Sequence, residues 1–187
     1  MVENENSAGA NPGIGKVVAV FVILGIVVAG LLFMMGSWLK RSEVKMLSVG
    51  QSIPDFSMTS FSGESYRLSD LKSKIILVNI WSSWCTSCDE EALMLQEVWT
   101  EVEDSGYYLF LGLDYVDTEK PALAFIQEHG VTYPNGPDIG SNISKMFKIQ
   151  GVPESFLIGK DGTLKAIQIG AFILSVDVRE FLTLAKD

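Results

Sequence analysis

Residues 75–88 read IILVNIWSSWCTSC, an apolar run that breaks into a polar turn and then meets the two cysteines of the chain. Ile75–Ile80 is continuously apolar and β-branched but for one Asn, the pattern of a strand buried on both faces. Beyond the cysteines, Ala92, Leu95, Val98, Trp99 and Val102 recur at helical spacing. That spacing predicts a helix from about Cys88 to Glu103, ended by Ser105–Gly106. The C-x-x-C therefore stands where a buried strand gives way to a helix. There the first sulfur meets the positive end of the helix dipole and its unpaired N–H groups. Both stabilise a thiolate, the attacking species in disulfide exchange. Cys85 reads as the exposed nucleophile. Cys88, one turn further on, reads as the thiol that resolves the mixed disulfide.

Outward from this stretch, strand and helix signals alternate. Asp55–Thr59 and Ser65–Leu68 read as short strands around Ser62–Gly63. Tyr108–Leu113 reads as a second apolar strand and Lys120–Glu128 as a helix closed by His129–Gly130. Asn142–Phe147 reads as a short helix. Ser155–Gly159 and Thr163–Ile169 form a hairpin around Asp161–Gly162, and Val176–Ala185 a closing helix. The expected fold class is α/β: a central mixed sheet covered by helices on both faces, with an added N-terminal β-hairpin.

Before this domain, residues 17–39 read VVAVFVILGIVVAGLLFMMGSWL without a charge. As a helix that run reaches roughly 34 Å, enough for a hydrocarbon core of about 30 Å. It exceeds a usual signal h-region, no A-x-A-like site follows, and Glu3 and Glu5 stand in what would be a basic n-region. An uncleaved anchor is the reading, with Trp38 at the interface. The expected organisation is a polar tail over 1–16, a transmembrane anchor over 17–39, a linker over 40–50 and a globular domain over 51–187. Lys16 precedes the anchor and Lys40, Arg41 and Lys45 follow it, so the positive-inside rule taken alone leaves the domain in the cytoplasm.

Composition removes other classes. Among 187 residues the formal net charge is -9 and the basic residues form no patch, so no nucleic-acid partner is expected. Two cysteines and one histidine are too few for a structural zinc site, and so short a disulfide loop staples almost nothing. A local redox pair remains, or a Cu(I) site. No cofactor and no metal are expected for the redox reading.

VNIWSSWCTSC, the upstream VGQSIPDFSMTSFSGESYRLSDLKSK and the downstream GVPESFLIGKDG resemble the membrane-anchored thioredoxin-like proteins of the TlpA/ResA/DsbE (CcmG) group. The resemblance covers about residues 48–172. It implies a thioredoxin fold on the extracytoplasmic side that reduces client disulfides, such as those of apocytochrome c, and is recharged by a transmembrane thiol donor. Carried over, it makes Trp84, Cys85 and Cys88 the redox motif, and places Asn79 where thioredoxins proper have a buried Asp. Pro153 matches the cis-proline facing the C-x-x-C, with Val152 offering backbone to a bound peptide. Glu154 would border the client groove, or else be a solvated edge residue. Glu91 matches an acid near the site. Its carboxyl either exchanges a proton with Cys88 or is an ordinary helix N-terminal acid. Thr86–Ser87 departs from the group, where proline is usual at the second position, and that departure bears on redox poise.

Two other functions fit the same residues less well. A thioredoxin-like Cu(I) metallochaperone for oxidase assembly usually has three residues between its cysteines and a distant His ligand. Here the spacing is two, and His129 sits at a helix end, where it reads as a cap. A thiol peroxidase needs a Thr three residues before the reactive cysteine, and neither cysteine has one. Asp114, Tyr115 and Asp117 read as loop residues at the rim of the site.

Overall fold

The computed structural model describes residues 12–39 and 47–185. The chain divides into two compact units, 1–45 and 46–187. In the first, helix α1 spans Pro12–Leu39. Within it Gly15–Gly36 is 22 residues long with a mean hydropathy of 3.1, and none of it is buried in protein. An uncovered apolar surface of that length matches what a bilayer would solvate. The expected interfacial Trp38 side chain, the polar tail up to residue 11 and linker residues 40–46 lie outside the described residues.

In the second unit a hairpin of β1 (Ser57–Thr59) and β2 (Ser65–Arg67) precedes the main sheet. Its strands are shorter than the sequence pattern suggests. Asp55 is drawn aside to accept hydrogen bonds from Arg67 Nε at 2.7 Å and Ser69 N–H at 2.9 Å, and Leu68 opens a 3₁₀ turn. The main sheet contains β3 (Ile75–Trp81), β4 (Tyr108–Asp114), β5 (Asn135–Pro137), β6 (Glu154–Ile158) and β7 (Leu164–Ile169). The strand order is β5-β4-β3-β6-β7. β3 pairs parallel with β4 and antiparallel with β6, so the sheet is mixed and β3 is central, as its apolar run requires.

The helices are α2 (Thr86–Val102), α3 (Glu119–Glu128), α4 (Asn142–Phe147) and α5 (Ser175–Thr183). The period-2 alternation of β3 divides the core. Ile75, Leu77 and Trp81 pack with Leu95 and Val98 of α2, Phe125 of α3 and Val178 and Phe181 of α5. Ile76, Val78 and Ile80 pack with Ile143 and Phe147 of α4 and with Phe56, Met58 and Leu68 from the hairpin region. The fold is the expected thioredoxin-like α/β sandwich.

Two details differ from the sequence reading. The linker is shorter at its C-terminal end, because Leu47 is already buried and Gly50 N–H donates to Leu164 C=O at 2.7 Å. And Asn135–Pro137, a stretch to which the sequence pattern assigns no element, is an edge strand parallel to β4. Its glycine is demanded by space: a Cβ at Gly136 would run into the backbone of Thr59.

Candidate active site

β3 ends at Trp81, and four residues later Cys85 is the N-cap of α2 with extended backbone, φ -98° and ψ 106°. Its side chain caps nothing, so the sulfur is free for other contacts. Cys85 and Cys88 are joined in a disulfide with Cα atoms 5.3 Å apart. Cys85 is 7% exposed and Cys88 2% exposed, the order that places the first sulfur nearer to a client. The Ser87 hydroxyl lies 3.5 Å from Cys85 Sγ, and the Val152 carbonyl oxygen 3.6 Å from it. The Val152–Pro153 peptide bond is cis, and the Val152 carbonyl faces Cys85 Sγ. Gly170 N–H donates to Pro153 C=O at 3.0 Å, so the strand end beyond β7 borders the same place. Trp84 is 59% exposed and donates its indole N–H to Val116 C=O at 3.2 Å.

Glu91 is not an exposed helix-terminal acid. It is 1% exposed, one helical turn beyond Cys88, with its carboxylate inside the domain. Oε2 accepts from Asn79 Nδ2 at 2.9 Å, and Oε1 accepts from Phe172 N–H at 3.2 Å. Asn79 Nδ2 also donates to Ser155 Oγ at 3.0 Å, which ties β3, α2 and β6 together beneath the disulfide. Burial pushes Glu91 up to about 7, against the opposing pull of those two donors. A carboxyl poised there can hold a proton at neutral pH and release it.

Glu154 stands neither at the border of a groove nor at a solvated edge. It is 2% exposed, and Oε1 accepts from Gln150 N–H at 2.8 Å and Gly151 N–H at 3.1 Å. An acceptor was needed inside, because the two loop amides before the cis-proline have turned away from the sheet. The side chain holds the loop that carries Val152.

Asp114, read from the sequence as a loop residue, is the last residue of β4, paired with Trp81 of β3, because the strand runs one residue beyond its apolar stretch. Asp114 is 3% exposed, and its Oδ1 has no hydrogen-bond partner among the described residues. Burial first, and the nearby charge of Asp117 second, push its carboxyl up to about 7. His129 closes α3 as expected. Its Nδ1 lies 2.9 Å from Phe125 C=O, which requires the proton on Nδ1. Its Nε2 faces Asp89 Oδ1 at 3.6 Å. Among the described residues no three His, Cys, Asp or Glu side chains are grouped to hold a metal ion.

The AhpC/TSA family profile matches residues 49–167. The thiol-disulfide oxidoreductase ResA of Oceanobacillus iheyensis is 30% identical over 156 residues, 81% of this chain and 80% of that protein. ResA of Bacillus thuringiensis is 29% identical over 129 residues, 69% of this chain and 74% of its own length. The crystal structure of a thiol:disulfide interchange protein of the thioredoxin family from Chlorobium tepidum superposes with a TM-score of 0.66 at 22% identity. That match covers 74% of this chain and 97% of that one. Fold, profile and relatives agree with the strand–Cys–helix geometry: the chain belongs to the AhpC/TSA family and is a thioredoxin-fold thiol-disulfide oxidoreductase of the ResA type with a Cys85–Cys88 C-x-x-C pair.

Proposed function

We propose that the protein is a membrane-anchored reductase of client disulfides on the extracytoplasmic side, with apocytochrome c as the type of client. The observation that carries the reductase reading is the buried Glu91 carboxyl, one helical turn beyond Cys88, behind a sulfur pair at a helix N-terminus. In the forward reaction the Cys85 thiolate attacks one sulfur of the client disulfide. The Cys85–client bond forms, the client S–S bond breaks, and a client thiolate leaves. Cys88 loses its proton and attacks Cys85 Sγ, which releases the second client thiolate. The client gains two electrons and two protons, and the domain is left with the Cys85–Cys88 disulfide. A transmembrane thiol donor then returns two electrons. Trp84, Val152 and Pro153 would contact the client, with Val152 C=O available to its backbone N–H. Glu91 would take and return the Cys88 proton.

The domains follow the same reading: residues 17–39 are held in lipid and 51–187 carry the chemistry. Cytosolic thiols stay reduced without an anchored reductase, whereas an exported client in an oxidising space needs one. That argument favours the extracytoplasmic face over the count of basic flanking residues. Alkaline phosphatase fused after Asp187, which is active only outside the cytoplasm, should be active. A fusion partner that works only in the cytoplasm, active at the same position, would mean that Lys40, Arg41 and Lys45 set the topology.

A further inference from the structure

Between β3 and α2 the turn at 82–84 presents Cys85 at the helix end. It is held from across the sheet by the segment after β4. Tyr115 N–H donates to Trp81 C=O at 2.8 Å, and Ser82 Oγ–H donates to Tyr115 C=O. Ser83 N–H donates to Asp117 Oδ2 at 2.9 Å, and Trp84 Nε1–H donates to Val116 C=O at 3.2 Å. Each residue from Trp81 to Trp84 is thus bonded to Tyr115, Val116 or Asp117, and of those three Asp117 is the one that bonds through its side chain. Its second oxygen, Oδ1, accepts from Thr118 N–H at 2.7 Å, which fixes the carboxylate at the entry to α3.

The segment adopts an unfavourable shape to do this. Val116 has φ +50°, a left-handed conformation that a β-branched residue avoids. It is the conformation in which the Val116 carbonyl meets the Trp84 indole. Beside it, Asp114 is buried with Oδ1 unpartnered among the described residues. Strained backbone and an unsatisfied carboxyl persist in a fold where the surroundings impose them, and here the surroundings are the redox turn.

We propose that Asp117 is a positioning residue for the redox reaction, holding the turn at 82–84 so that Trp84 and Cys85 are presented together to the client. It touches no sulfur and acts through the Ser83 amide. Burial pushes its carboxyl up, but the donors from Ser83 and Thr118 outweigh that and hold it below its ordinary range, so it binds as an anion.

The inference rests on the reductase reading, and the test separates the two. The full chain in detergent micelles carries Asp117→Ala or Asp117→Asn, each with and without Trp84→Phe, so that the Trp84 emission is obtained by difference. Insulin disulfide reduction gives kcat and KM, and acrylamide quenching reports how far Trp84 is freed. Asp117→Ala should lower kcat/KM about tenfold, mostly in kcat, and should increase quenching of Trp84. Asp117→Asn, which keeps one of the two acceptors, should fall between that variant and the unaltered protein. Unchanged quenching together with unchanged kcat/KM would overturn the proposal. So would a loss of activity that only tracks a loss of folded protein in thermal unfolding. If the unaltered chain does not reduce insulin, the reductase reading fails while the quenching still decides on Asp117.

Discussion

Replacing Cys85 by Ser should reduce the rate of client-disulfide reduction by a factor on the order of a thousand or more, as loss of a covalent nucleophile does. Replacing Cys88 should act differently. Its Sγ lies in the 2%-exposed residue and meets the client only through Cys85, so Cys88→Ser should leave the first attack intact and stop turnover after it. A burst of one released client thiol per chain, measured by rapid quench, distinguishes the two variants. Both replacements are nearly isosteric with a free thiol, and neither Cα moves more than release of the disulfide requires. Loss of the first step in both variants would mean that the sulfurs do not divide the work.

Glu91→Gln should have the second largest effect, and it should be visible in stability as well as in rate. The ordinary value for a Glu carboxyl is 4.5, and in the folded domain burial raises it to about 7. A raised carboxyl binds its proton more tightly in the folded state than in the unfolded one. Its contribution to stability is therefore full below about pH 4.5 and is lost as pH rises toward 7, after which it stays lost. The shift corresponds to about 3 kcal/mol at most. Glu91→Gln cannot ionise, so this pH dependence should largely disappear, and the variant should gain on the unaltered protein at pH 8 rather than at pH 5. Asn79 Nδ2 would then need to turn toward the remaining amide oxygen, which limits the gain. In the kinetics, losing an anion beside Cys88 should lower the apparent thiol pKa, and losing the proton carrier should slow turnover near neutral pH by roughly a hundredfold. Coincident pH–rate profiles and coincident pH–stability curves would reduce Glu91 to a packed side chain.

The part of this site that was legible in the sequence is the part set by local rules. A continuous β-branched run, a polar turn and a C-x-x-C ahead of a 3.6-residue repeat locate β3, Cys85 and α2 to within two residues. Burial of polar groups was not legible in the same way. Glu91 looks like its neighbours Asp89 and Glu90, and what separates them is the face of α2 on which each falls. Counting by the helix repeat from Ala92 and Leu95 puts Glu91 on the apolar side, a signal that was present and outweighed by the preference for acids at helix N-termini. Glu154 could not be assigned from sequence, because its role is set by two backbone amides that leave the sheet only when the loop before Pro153 has its final course. β5 was hidden for a similar reason. Asn135, Gly136 and Pro137 have turn propensities, but Asn135 is needed to accept from the indole of Trp81 at 2.8 Å, and the pairing with β4 overrides the local preference. Asp114 and Asp117 differ again: three residues apart in the chain, one is buried with Oδ1 unpartnered among the described residues and the other is fastened to the redox turn.

The division of labour between the two sulfurs is central to the reaction, and trapping tests it directly. The full chain bearing Cys88→Ser, produced in its own membrane and quenched with acid, should carry a disulfide-linked partner that is released by dithiothreitol. The chain bearing Cys85→Ser should carry none. Trapping by Cys85→Ser in place of Cys88→Ser would assign the attack to Cys88 and contradict the account.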